Sequence, residues 1–117
     1  MIHLKEIIQS LNLEVVAGGS HNRPVRAGYA SDLLSCVMGR AGQQYVWVTL
    51  QSHVNVVAVA SLLGLSGIII TEGQRPDPEA IERAEQEGVV LMLTPRTTFS
   101  VVADLSALGV RGEVESA

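Results

Sequence analysis

Apolar positions along this chain follow two patterns: helical spacing in some stretches, short continuous runs in others. In "HLKEIIQSLN", Leu4, Ile7, Ile8 and Leu11 fall at i, i+3, i+4 and i+7, which predicts a short amphipathic helix. "LEVVAGG" reads as a short strand ended by Gly18 and Gly19. A polar stretch follows and becomes strand-like over residues 25–29. "SDLLSCVMG" then places Leu33, Leu34, Val37 and Met38 on one helical face. Ser31 or Asp32 is the expected N-cap, and Gly39 the expected stop.

The rest of the chain repeats one plan three times. "YVWVT", "SGIIIT" and "VVLMLT" read as strands, and each leads through a polar turn into a helix. Each strand ends in threonine, at Thr49, Thr71 and Thr94, spaced 22 and 23 residues apart. Continuous β-branched runs alternating with helices predict a mostly parallel sheet covered by helices, with right-handed crossovers. The predicted fold class is therefore α/β, a single compact domain built from repeated strand–helix units. It is expected to span residues 1–109, followed by a polar tail over 110–117. The middle helix is well marked: Asp77 stands at its N-cap, Pro78 at its first position, Glu79 in its first turn and Gly88 at its end. Ala80, Ile81 and Ala84 form its inward face.

The helix of the first repeat, from His53 to Gly64, is apolar on nearly every side; its polar residues are His53, Asn55 and Ser61. Its valines are poor helix formers, so it depends on packing for stability. A helix apolar all round is buried on more than one side. One side faces the sheet, and two readings stand for the other. Val54, Val57, Ala58 and Ser61 form a two-fold interface with a second copy, or neighbouring helices, the N-terminal one among them, cover that side within the chain.

Length and composition narrow the role. At 117 residues, with 47% hydrophobic and 17% charged, the chain is one globular domain. The net charge of −4 leaves no basic field for nucleic acid. No apolar run is long enough to span a bilayer, and no secretory leader pattern opens the chain. Cys36 is the one cysteine, which fits a reducing compartment, so a cytoplasmic location is expected. His3, His21 and His53 are scattered, which argues against a zinc site. No phosphate-binding loop, dinucleotide fingerprint or serine-hydrolase elbow occurs. No catalytic residue, metal or cofactor is expected.

The candidates that remain are for binding. Ligands of open parallel sheets sit beyond the carboxyl ends of the strands. Thr49, Gln51, Ser52, His53, Thr71, Glu72, Thr94 and Thr97 would gather there, with Ser52 and Thr97 able to open helices. Structural caps explain the same residues. A second candidate is "GGSHNRPVRAGYASD", where His21, Arg23, Arg26 and Asp32 offer an anion site or a local Arg–Asp pair.

Nearly the whole chain also resembles a known family. "GYASDLLSCVM", "VWVTLQSHVNVVAVASLLGLSGIIITEG" and "AEQEGVVLMLTPRTTFSVVADLSALG" resemble the DRTGG domain, although the string that names the family is absent. The family is similar to the N-terminal domain of HPr kinase/phosphorylase and occurs beside CBS domains in regulatory regions. The resemblance implies an α/β fold, pairing between copies and a regulatory role, and brings no catalytic residues. Kinase activity is not implied, because the phosphate-binding loop is missing. The expectation is thus a non-catalytic regulatory or adaptor domain that forms a homodimer and contacts partner proteins. The alternatives are a sensor that binds a nucleotide or other anionic small molecule at the strand ends, and an enzyme of unrecognised type.

Overall fold

Three short strands, each buried on both faces, set the architecture. They are β3 (Tyr45–Thr49), β4 (Gly67–Ile70) and β5 (Leu91–Leu93), and apart from half-buried Tyr45 all their residues are buried. A strand apolar on both faces needs a layer on each side of the sheet. The computed structural model describes residues 1–113. It supplies those layers with α1 (Leu4–Leu11), α2 (Leu34–Arg40), α3 (Asn55–Leu63), α4 (Pro78–Glu87) and α5 (Thr98–Ala107). The remaining strands are β1 (Glu14–Ala17) and β2 (Ala27–Ala30), and the order across the sheet is β1-β5-β4-β3-β2. Strands β2 to β5 run parallel, whereas β1 joins β5 antiparallel with a register irregularity between Val15 and Ala17. The expected mostly parallel α/β sheet is present, with one antiparallel edge.

Alternation along the strands divides the core in two. Trp47, Ile68, Ile70, Leu91 and Leu93 face one cluster, closed by Val37 of α2, Val56, Val57, Val59 and Ala60 of α3, and Ala80 and Ala84 of α4. Val46, Val48, Ile69 and Met92 face the other, closed by Leu4, Ile7 and Leu11 of α1 and Val101 and Leu105 of α5. The three crossover helices therefore lie on one face of the sheet, while α1 and α5 share the other. Fully burying one such side chain contributes about 1.5–3 kcal/mol.

This arrangement accounts for the apolar helix. α3 lies between α2 and α4 on the same face, and α1 sits across the sheet, so the N-terminal helix does not cover it. Its inward residues are core, and Gly64 ends it in the left-handed region at φ 68°. Of the expected interface set, Ala58 and Ser61 are exposed and Val54 is half-buried. Val57 is corrected: it is 0% exposed and has no surface to offer a partner. Leu62, not among the expected residues, is 70% exposed on the same helix.

The reading of α2 is corrected as well. Of the four residues assigned to its inner face, Val37 alone is buried; Leu33 precedes the helix and Met38 is exposed. A seven-residue helix makes about two turns, so a narrow strip of it meets the sheet. The helix also runs past Gly39 to Arg40. The chain beyond α5 is anchored at first: Val110 packs against the second cluster, and the Gly28 N–H donates to the Arg111 carbonyl at 2.8 Å. The rest of the expected tail, 114–117, lies outside the described residues. Among the described residues, no helix is long and apolar enough to cross a membrane.

Gly18 is the least replaceable turn residue. At φ 112° it leaves β1, and an added Cβ would lie 2.4 Å from the Val90 Cα and 2.5 Å from the Val89 carbonyl oxygen. Both obstacles are backbone atoms, which cannot rotate away. Gly109 has a similar φ of 95° but open space around it. In urea unfolding, Gly18→Ala is expected to lose about 3 kcal/mol or more, and Gly109→Ala about 1 kcal/mol. Equal losses would contradict the packing of β1 against the turn before β5.

Candidate functional site

The three threonines sit where the repeat predicts, at the carboxyl ends of β3, β4 and β5, and all three are buried. A buried hydroxyl is costly unless it is hydrogen-bonded. Each finds its partners within the chain, and the result is two polar knots.

The first knot joins the ends of β2 and β3. The Thr49 hydroxyl donates to Asp32 Oδ1 at 2.8 Å, and the Leu50 N–H donates to the same oxygen at 2.9 Å. The Gln51 N–H donates to Thr49 Oγ1 at 3.1 Å, and Gln51 Nε2 donates to the Asp32 carbonyl at 2.9 Å. Asp32, expected as a possible cap of α2, instead bridges two strand ends. The Ser31 hydroxyl accepts from the Leu33 N–H at 3.1 Å.

The second knot joins β4, β5 and α5. The Thr71 and Thr98 hydroxyls lie 2.6 Å apart. The Thr98 N–H donates to Glu72 Oε2 at 2.8 Å, and Thr97 accepts from the Ser100 N–H at 3.2 Å. Thr94 Oγ1 accepts from the Arg96 N–H at 3.2 Å, while the Arg96 guanidinium pairs with Asp104. Glu72 adopts φ 63°, an uncommon conformation for a side-chain-bearing residue. Its backbone N–H donates to the Arg96 carbonyl at 2.8 Å, and its carboxylate meets the positive end of α5. The helix terminus that would attract an anion thus already holds one, from the chain itself.

The other expected residues separate. Val54, not Ser52, stands at the N-cap of α3, and His53 just before it accepts through Nδ1 from the Asn55 N–H at 3.1 Å. Ser52 contributes its carbonyl to the Asp77 N–H at 3.0 Å. Arg23 Nη2 donates to the Gly88 carbonyl at 2.6 Å, at the C-terminus of α4 and just before β5. The Arg26 N–H meets the Gln44 carbonyl just before β3. Both arginines therefore lie at the amino end of the parallel strands, opposite Asp32, and His21 supplies its carbonyl to the Lys5 N–H beside them. The sequence brought these residues close along the chain; β2 carries them to opposite ends of the sheet.

Among the described residues, no buried side-chain nitrogen or oxygen lacks a partner, and no group of three His, Cys, Asp or Glu side chains is placed to hold a metal ion. A further concavity lies away from both knots. A groove of about 800 Å³ runs beside α5 over the edge of the sheet, with Ala30, Val48, Val102, Leu105 and Val110 in its lining. Sequence reasoning missed it, because the segment after α5 reads as tail yet forms one wall. The available signal was α5 itself, which carries a single charge, Asp104.

If the strand-end groups serve the fold, removing one must weaken the fold. Asp32→Ala strips acceptors from a buried hydroxyl and a backbone N–H, and is expected to cost about 1–3 kcal/mol in urea unfolding. Asp32→Asn keeps an acceptor and should cost less. A stability unchanged in both variants would show that the knot is not structural.

The match to known proteins agrees with the fold. The family model for the DRTGG domain matches residues 6–108. No curated protein sequence matches the chain. The chain is similar to a solved structure of the CBS and DRTGG domains from the regulatory region of Clostridium perfringens pyrophosphatase, complexed with the activator diadenosine tetraphosphate. The TM-score is 0.64 at 16% identity, over 86% of this chain and 44% of that one. This chain therefore spans less than half of that neighbour. With a family model covering most of its length and the matching α/β fold, the chain belongs to the DRTGG domain family.

Proposed function

We propose that this chain is a non-catalytic regulatory domain that acts by pairing with a second copy and by contacting partner proteins. One observation carries the reading. The polar groups at the strand ends, Asp32, Thr49, Thr71, Glu72, Thr94 and Thr98, bond within the chain, while large apolar side chains stay on the surface. Leu33, Leu50, Leu62 and Phe99 are all exposed. Leu33 and Leu50 flank the Asp32 knot, and Phe99 follows Thr98 of the second knot. Apolar groups around strand ends whose polar groups bond within the chain suit macromolecular contact.

A second reading has its own support: the pyrophosphatase neighbour was solved with a nucleotide activator, and the groove beside α5 is within the size range of small-molecule sites. As a sensor the chain would bind a nucleotide or another anion. The groove is lined mainly by apolar groups, and the strand ends already hold the Glu72 carboxylate, which would repel a phosphate.

Thermal unfolding separates the two. Pairing predicts a melting temperature that rises with protein concentration and does not respond to adenine nucleotides or diadenosine tetraphosphate. A ligand at about 100 times its dissociation constant adds about 2.7 kcal/mol, several degrees for a domain of this size. A nucleotide shift at fixed protein concentration, with no concentration dependence, would overturn the pairing reading in favour of the sensor.

A further inference from the structure

We propose that the outer edge of β2 takes an extended segment of a partner protein as an added strand, with side chains of that segment entering the groove beside α5. This rests on the partner contact proposed above and names the surface that makes it.

The strand order leaves two edges, β1 and β2. The β1 edge is blunted: its register is irregular between Val15 and Ala17, and the exposed Glu14 pairs with Arg75. The β2 edge has no such device. Its sequence, AGYA, carries no charge, and its register with β3 runs unbroken from Ala27 to Ala30. A regular, uncharged edge is a template for another strand, because its outward backbone groups are open.

Backbone direction shows which groups those are. The Ser31 N–H donates to the Val48 carbonyl at 3.2 Å, so Ser31 and Tyr29 point toward β3. Gly28 and Ala30 alternate with them and point outward. The Gly28 N–H donates to the Arg111 carbonyl at 2.8 Å, so the chain after α5 already meets this edge at one point. Among the described residues, nothing bonds to the Gly28 carbonyl or to the N–H and carbonyl of Ala30, which is exposed. A residue of an added antiparallel strand opposite Ala30 would exchange both bonds with it.

The groove supplies the side-chain contact. Ala30 pairs with Val48 in register, and both line the groove together with Val102 and Leu105 of α5. Every second side chain of an added strand would enter it, and the others would lie beside half-buried Tyr29 on the opposite face. At about 800 Å³ the groove holds large aliphatic or aromatic groups. The partner segment is therefore extended, with apolar residues at alternate positions. In strand addition the main-chain bonds give affinity and the side-chain pockets give preference. A compact apolar ligand would leave the open backbone groups unpaired, which favours a peptide.

Selection from a display library of random linear peptides on the full chain tests the proposal, with fluorescence polarisation of the synthesised peptides and circular dichroism of each variant. The selected peptides are expected to carry apolar residues at alternate positions. Ala30→Pro removes the outward N–H at an edge position that accepts proline, and Val102→Asp puts a charge on the groove wall. Each is expected to weaken binding about tenfold or more. Leu62→Asp on α3 should bind like the wild type. By NMR, the Ala30 amide is expected to exchange fast with solvent in the free protein and about tenfold or more slowly in the complex. If Ala30→Pro does not fold, Val102→Asp and the exchange measurement decide. Peptides that bind both variants as they bind the wild type overturn the edge site and leave partner contact intact. An Ala30 amide already protected in the free protein also overturns it, because the edge is then occupied. A library that yields no binder overturns both the site and the partner contact.

Discussion

Burial of β3, β4 and β5 on both faces is the constraint on which this structure depends. Ile68, Ile69 and Ile70 are consecutive and fully buried, so they point alternately into two cores. A sheet of that kind is stable only between two layers of helix. Three helices close one face and two close the other, which leaves the β2 edge beside α5 less fully covered. The groove follows from that imbalance.

The same constraint explains the threonines. Where a strand buried on both faces ends, its last residue must leave the apolar layer without losing hydrogen bonds. Threonine suits a strand and carries a hydroxyl that can bond locally. Asp32 and Glu72 then supply acceptors for the hydroxyl and backbone N–H groups gathered there. Place and chemistry resemble those of a ligand site, but the occupants come from the chain.

Much of the fold was legible in the sequence because its signals are local. Continuous runs such as "GIII" mark buried strands, Pro78 and Gly88 bracket α4, and the repeat spacing gives the parallel order. What the sequence did not show depends on distance. The antiparallel setting of β1 rests on its pairing with β5, nearly eighty residues away, and no local pattern encodes it. Arg23 and Asp32 look like neighbours, yet β2 lies between them and carries them to opposite ends of the sheet. Val57 looked available because nearly every side of α3 is apolar; which side faces inward is decided by α2 and α4. Phe99 was passed over because an isolated aromatic residue in an apolar helix reads as core, and only the layer geometry leaves it outside.

The account thus assigns the polar strand ends to the fold and the exposed apolar side chains to association. The most direct test is amide NMR of the isotopically labelled protein on dilution from high to low concentration. The account predicts shifts or exchange broadening at one or more of Leu33, Leu50, Leu62 and Phe99, and unchanged amides at the buried Ile69, Val90 and Met92. No concentration-dependent change at any of those four positions would contradict it.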